Sequence, residues 1–345
     1  GLSFFSYAGM SIVNPDVAQS LGPHDMQFAP VGAGTGPFKF VEWEANSHVT
    51  LEKNDDYWGD VPHVDRVQFL TMREATTRTL ALQTGDVHIS YPEAADFYDF
   101  QADPNIEVWQ ETGLGTRYLG MNVRQNVTNQ RAGGALSDKV VRLAISYAVN
   151  YDELLFGEDF NNGLASRMMG PMVPSIAWAY NSSLKLTNET GGTIPYYNLT
   201  KAAEILDNAG IVDVDDDGIR DYLGLAENDT DDMIFNYGYN IGNAVREAIG
   251  ELLFDDLSQI GIGLNLVGAT WAQFLSQLTT GELDLFFLGW GPDYIDPDTY
   301  FYPLFHSKFI GTYGNGAGVN CSWLDTLLEN ARTETNQTKR AEMYM

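Results

Sequence analysis

Apolar and polar positions alternate through residues 36–54 on both sides of Ala45-Asn46-Ser47, the period of a β-hairpin. The alternation returns over Val64–Leu70 and predicts another strand. From Glu74 to Thr84 the spacing becomes helical and Gly85 stops it, after which Val87–Tyr91 reads as a strand, giving one α/β crossover. Arg117–Val123 alternates again. Ser137 or Asp138 can cap a helix whose apolar face carries Val140, Val141, Ala144, Ile145, Tyr147 and Ala148. Asn150 can cap a shorter helix, Tyr151–Phe156. Residues 161–199, rich in Gly, Pro, Asn and Tyr, read as irregular, and Thr200–Ala209 as a helix ended by Gly210.

The pattern is clearest further on. Met233–Tyr239 predicts a strand, Asn243–Ile260 an amphipathic helix closed by Gly261, and Ile262–Val267 a second strand. Trp271–Thr279 predicts a helix with Trp271, Phe274, Leu275 and Leu278 on one face, and Leu283–Leu288 an apolar strand running into Gly-Trp-Gly-Pro. A β-α-β-α-β order with apolar strands predicts a mainly parallel sheet covered by helices, an α/β fold. Thr335–Met345 reads as a last helix.

A net charge of -28 makes nucleic acid an unfavourable partner, since phosphates would be repelled. Cys321 is the single cysteine, which excludes an internal disulfide and any multi-cysteine metal site. No apolar run approaches the roughly 20 residues of a membrane-spanning helix. No leader is visible and both ends read as cut. Acceptor triplets Asn-x-Ser/Thr begin at Asn126, Asn181, Asn188, Asn198, Asn228, Asn320 and Asn336. They point to an exported, glycosylated protein or to a polar surface rich in Asn and Thr.

Candidate chemistry is sparse. There is no nucleophile elbow, no His-Glu-x-x-His pair and no phosphate-cradling Gly-Lys loop. Gly32-Ala33-Gly34-Thr35-Gly36 leads into Pro37 and a hairpin, so no helix N-terminus follows to bind an anion. His24, His48, His63, His88 and His306 lie at no ligand spacing. The acidic run is more specific. Asp213, Asp215, Asp217 and Asp221 occupy positions 1, 3, 5 and 9 of a calcium-loop pattern with Gly218 at 6, but position 12 is Gly224 rather than a glutamate. A structural Ca²⁺ loop and a solvated acidic turn both fit.

The strongest candidate is Gly289–Pro297. It leaves the carboxyl end of an apolar strand, where open α/β sheets bind ligands, and combines aromatics, a carboxylate and rigid turn residues. If the strands are parallel, Tyr239, Asn240, Trp271, Trp290 and Asp293 gather on one rim, with Tyr294 beside them. The competing reading makes Trp290 and Tyr294 packing residues and Asp293 a turn cap.

The ordered stretches GTGPFKFVEWEANSHVTLEKNDDYWG (34–59), VDRVQFLTMREATTRTLALQTGDVHIS (64–90), RYLGMNV (117–123), LSDKVVRLAISYAVNYDELL (136–155), NLTKAAEILDNAG (198–210), IGELLFDDLSQIGIGLNLV (249–267) and GELDLFFLGWGPDYIDPDTYFYPLFHS (281–307) resemble the family-5 extracellular solute-binding proteins of ABC importers. The resemblance implies a bilobed, periplasmic-binding-protein-like receptor, monomeric, with no required cofactor, that closes on a peptide and hands it to a membrane permease. It implies an extracytoplasmic location, with an anchor on a missing terminus. It implies that residues 1–24 end an accessory domain, 25–117 belong to one main lobe and 118–345 to the other. By the same resemblance Asp293 pairs with a peptide α-ammonium; Arg117 and Arg246 are carboxylate-binding candidates by location alone. Two alternatives remain: an oligosaccharide cargo stacked on Trp271 and Trp290, and a secreted glycosidase using Asp293 and Asp296.

Overall fold

Phe38–Glu44 (β1) and His48–Lys53 (β2) pair antiparallel across a turn in which Asn46 takes φ 64°. Arg66–Leu70 (β3) adds to the free edge of β2, giving the order β1-β2-β3 in this computed structural model. The structure describes residues 11–124, 134–222 and 232–345. Two compact units result, Gly1–Val108 and Trp109–Met345.

In the first unit, Pro15–Phe28 (α1) is capped by Asn14 and kinks at Gly22-Pro23. Ala75–Thr84 (α2) ends where Gly85 adopts φ 79°, the left-handed stop that glycine allows without a Cβ clash. Phe97–Ala102 (α3) buries Phe97 and Phe100. The expected strand Val87–Tyr91 does not form, and the predicted crossover goes with it. A strand requires a hydrogen-bonding neighbour, and none lies beside this segment among the described residues. Ile89 and Tyr91 are exposed instead.

The second unit follows the pattern closely. Thr116–Met121 (β4) precedes Lys139–Ala148 (α4), capped by Asp138, and Tyr151–Phe156 (α5), capped by Asn150. After the irregular stretch comes Leu199–Asn208 (α6), with Asn198 as cap. Ile234–Asn240 (β5), Ala244–Ser258 (α7), Gly263–Ala269 (β6), Trp271–Thr280 (α8) and Leu285–Trp290 (β7) form the predicted alternation. Asp298–Phe305 (α9), Ser322–Thr333 (α10) and Gln337–Tyr344 (α11) close the chain.

The sheet order is β4-β7-β5-β6, with β5 parallel to β6 and β7 and with β4 antiparallel to β7. It is a mixed sheet with a parallel centre. Both faces are covered, as its apolar strands require. Leu285 joins Tyr237, Leu253, Ile145 and Leu206 in one core, while the next residue, Phe286, joins Phe274 and Leu278 in another. Gly120 on β4 leaves room for the Phe286 ring, which a Cβ there would overlap. A third core holds α9, α10 and α11 against Met172, Val173 and Ile176 of the irregular stretch. Both units combine helices and sheet, the first around an antiparallel sheet and the second around a mixed one, an α/β architecture.

Candidate ligand-binding site

From β5 the chain crosses to β6 on one side, then returns through α8 to β7 on the other side of β5. The crossovers diverge between β5 and β7, and open α/β sheets leave their ligand crevice at the carboxyl ends of such a pair. That rim carries Tyr239 and Asn240 from β5, Ala269 and then Trp271 after β6, and Trp290 from β7. Because β4 runs the other way, it brings Thr116 and Arg117 opposite Trp290 and Gly289.

Asn240 and Trp271 share a partner. Asn243 caps α7 by accepting from the Arg246 backbone N–H, which fixes Arg246 in the first turn. The Arg246 guanidinium Nη1 donates to Asn240 Oδ1 at 2.6 Å and lies 5.4 Å from the centre of the Trp271 ring. Trp271 in turn stacks on Phe274 at 5.6 Å and remains 48% exposed. Burial draws the Arg246 pKa down, and the nearby Arg117 charge adds to that, partly offset by Tyr237 and Tyr118. An arginine stays protonated regardless. Among the described residues no carboxylate forms an ion pair with Arg246 or with Arg117, whose Nη1 donates to Asn161 Oδ1 at 3.3 Å. In a chain with 47 acidic and 19 basic residues, two guanidinium groups without a carboxylate beside a sheet crevice are an anion-accepting arrangement. Tyr239 is committed elsewhere: its hydroxyl donates to Glu247 Oε1 at 2.8 Å.

The loop after β7 divides its residues between structure and solvent. Trp290 Nε1 donates to the Thr299 carbonyl at 2.7 Å and its partly buried ring packs on the third core. The Tyr294 hydroxyl donates to Asp298 Oδ2 at 3.1 Å; burial first, then the Asp298 charge, pushes its pKa up to about 12. Asp296 is buried and accepts from both Arg340 terminal nitrogens, at 2.8 and 2.6 Å. Asp293 is exposed, and none of the described residues donates a hydrogen bond to its carboxylate. Of the two carboxylates a glycosidase would need, one is therefore consumed by an ion pair. Among the described residues Asp293 is left unengaged, while Asp296, Asp298 and Glu247 are held by Arg340, Tyr294 and Tyr239.

Sequence reasoning missed the Asn240–Arg246 contact and the Arg340–Asp296 pair. The first had a signal, since a capping Asn243 three residues before Arg246 places it in the first helical turn. The second, spanning 44 positions, had none.

The acidic loop lies apart from this rim, between α6 and β5. It brings carboxylate oxygens of Asp213, Asp215 and Asp221 within 4.8 Å of one another, while Asp217 is turned to its own backbone, accepting from the Ile219 N–H. Of the glycosylation acceptors, Asn126 and Asn228 lie outside the described residues. Asn188 and Asn320 are exposed; the Asn198 and Asn336 side chains accept the N-terminal amides of α6 and α11.

Residues 4–312 match the bacterial extracellular solute-binding proteins, family 5 middle region. The chain belongs to this family. Relatives include the heme-binding protein A of Haemophilus influenzae, 29% identical over 99% of this chain and 57% of that protein. The dipeptide-binding protein of Escherichia coli is 27% identical over 93% of this chain and 54% of its own length. Among solved structures, the ABC transporter-associated periplasmic binding protein DppA of Helicobacter pylori, in complex with the peptide STSA, superposes with a TM-score of 0.77. It is 27% identical, covering 99% of this chain and 60% of that one. The family-5 chain thus spans a little over half the length of these relatives. These similarities give no support to an oligosaccharide cargo or to a glycosidase. No described helix is long and apolar enough to cross a membrane.

Proposed function

We propose that this family-5 chain is the substrate-binding part of an extracytoplasmic, monomeric receptor that binds short peptides at the β5–β7 rim and delivers them to an ABC permease. It is a binding protein without catalytic function, exported and glycosylated at exposed acceptors such as Asn188 and Asn320. One observation carries the reading: a carboxylate, Asp293, and a guanidinium, Arg246, neither paired with an opposite charge among the described residues, lie at the carboxyl ends of the neighbouring strands β7 and β5. A peptide zwitterion is the complement of that pair, its ammonium facing Asp293 and its carboxylate facing Arg246, with Trp271 as an apolar wall. Kinship to a dipeptide-binding protein and to a receptor solved with a peptide supports the same cargo.

The test is native mass spectrometry of the full-length protein as purified from its exporting host. Copurified masses that fragment as short peptides are expected. Copurified heme or sugar would overturn the peptide assignment.

A further inference from the structure

We propose that the loop 213–221 is a divalent-cation site that takes Ca²⁺ through the carboxylates of Asp213, Asp215 and Asp221. Three of the four acidic positions of the sequence pattern converge, with oxygens within 4.8 Å of one another. That separation fits inside the shell of an ion bound at about 2.3–2.6 Å from each oxygen.

The convergence has a second feature that a solvated acidic turn lacks. Asp221 is wholly buried; its Oδ2 accepts from the Val214 N–H at 2.7 Å, while its Oδ1 has no hydrogen-bond partner among the described residues. A buried carboxylate oxygen without a donor is costly, the more so beside two further carboxylates. No side-chain cation relieves it among the described residues. Arg220, the adjacent one, directs its guanidinium to Asp207 Oδ1, the Ile211 carbonyl and the Ile260 carbonyl. A bound cation supplies the missing positive charge.

The backbone is already arranged for it. Asp213 accepts from the amides of Asp216, Asp217 and Gly218, with Asp216 and Gly218 at φ 65° and 96°. The donor set is all oxygen and all carboxylate, which selects a hard cation. Exposed Asp215 permits the adjustable, high-coordination shell of Ca²⁺ better than the strict octahedron of Mg²⁺. Position 12 of the sequence pattern is Gly224 rather than a glutamate, which sets the expected affinity at the weak, extracellular end, a Kd of about 10⁻⁴–10⁻³ M. The loop is stitched to its surroundings: the Arg220 N–H donates to the Gly261 carbonyl and the Met233 N–H to the Arg220 carbonyl. A cation there fixes the lead-in to β5, whose other end carries Asn240.

This inference is independent of the peptide cargo, and its test uses no peptide. Metal-stripped full-length protein is titrated with CaCl₂ and, separately, MgCl₂, by calorimetry and thermal melts. About one Ca²⁺ per chain is expected, with a Tm that rises with Ca²⁺ and much less with Mg²⁺. Asp215→Asn, at an exposed position that does not threaten folding, should weaken Ca²⁺ at least ~10-fold. Asp221→Asn should abolish the Ca²⁺-dependent rise; if it fails to fold, Asp215→Asn decides. Identical melts in chelator and in Ca²⁺ would overturn the site. So would equal Tm gains from Ca²⁺ and Mg²⁺ that persist in Asp215→Asn, since they would report only screening of an acidic surface.

Discussion

Arg340 holds Asp296 through two parallel charge-assisted hydrogen bonds, and that pair fastens α11 to the loop carrying Asp293. Both side chains are mostly buried, at 18% and 13% exposure. The carboxylate pushes the Arg340 pKa up, against the opposing pull of burial. Asp296 Oδ1 also accepts from the Asp298 N–H at 2.9 Å, so the same carboxylate shapes the turn into α9. Arg340→Ala leaves Asp296 buried and unpaired, and should cost about 3 kcal/mol in urea denaturation. A buried ion pair is weak evidence of net stabilisation, so the double variant Arg340→Met, Asp296→Leu should recover much of that loss. A loss in the double variant equal to that of Arg340→Ala would show that the pair itself, not the orphaned charge, is what matters.

Asp256 gives the pH dependence a definite sign. Burial raises its pKa, against the hydrogen bond from the Tyr197 hydroxyl at 2.8 Å and the Asn150 backbone, and its Oδ2 has no hydrogen-bond partner among the described residues. Because the folded pKa lies above the unfolded one, the native state holds this proton more tightly. Its contribution to stability is greatest below the unfolded carboxylate pKa and declines as pH rises through the folded value. Asp256→Asn should therefore be more stable than the parent at pH 8, and that advantage should shrink or reverse at pH 4. Denaturation midpoints at the two pH values measure it; a difference independent of pH would contradict the assigned shift.

Much of the fold was legible because its second unit obeys local rules. Asp138 and Asn150 cap the helices the sequence assigned to them, and the β5-to-β7 alternation lies where its apolar period put it. Val87–Tyr91 was misread because alternation reports strand propensity, not whether a neighbouring strand exists. The rim was half legible. Chain order fixed which strand ends meet, and there Asn240 and Trp271 share Arg246. Which side chains are free to bind depends on contacts distant in sequence. Trp290 is tied to Thr299, Tyr239 to Glu247 and Tyr294 to Asp298, whereas Asp293 is left unengaged.

Arg246 should prove more important than Arg117 for a peptide's carboxyl end. Its guanidinium is aligned by Asn240 and flanked by Trp271, so less ordering is required on binding. Arg117 is exposed, where charge pairs are screened. Arg246→Gln should weaken peptide binding about 30-fold and Arg117→Gln only a few-fold. A peptide amidated at its carboxyl end should bind Arg246→Gln nearly as well as the free acid does. The reverse ranking of the two variants would move the carboxylate site to β4.

Asp293 is the riskiest and most decisive position. It follows an apolar strand, at the end of the sheet where ligands bind. Gly291-Pro292 restricts the backbone before it, and Tyr294 after it is anchored on Asp298, so the backbone that carries the carboxylate is constrained before any ligand arrives. No described residue competes for it. In water such a carboxylate contributes little, but a peptide lodged against the rim excludes solvent from the pair and strengthens it. Asp293→Asn should then weaken peptide binding by roughly 30-fold or more. Acetylating the peptide's amino terminus should cost a similar factor with the parent protein and far less with the variant, because both changes remove one interaction. Calorimetry on the four combinations yields the coupling directly. If the two losses simply multiply, or if Asp293→Asn binds as tightly as the parent, the α-ammonium is held elsewhere and the rim recognises its cargo through Arg246 and Trp271 alone.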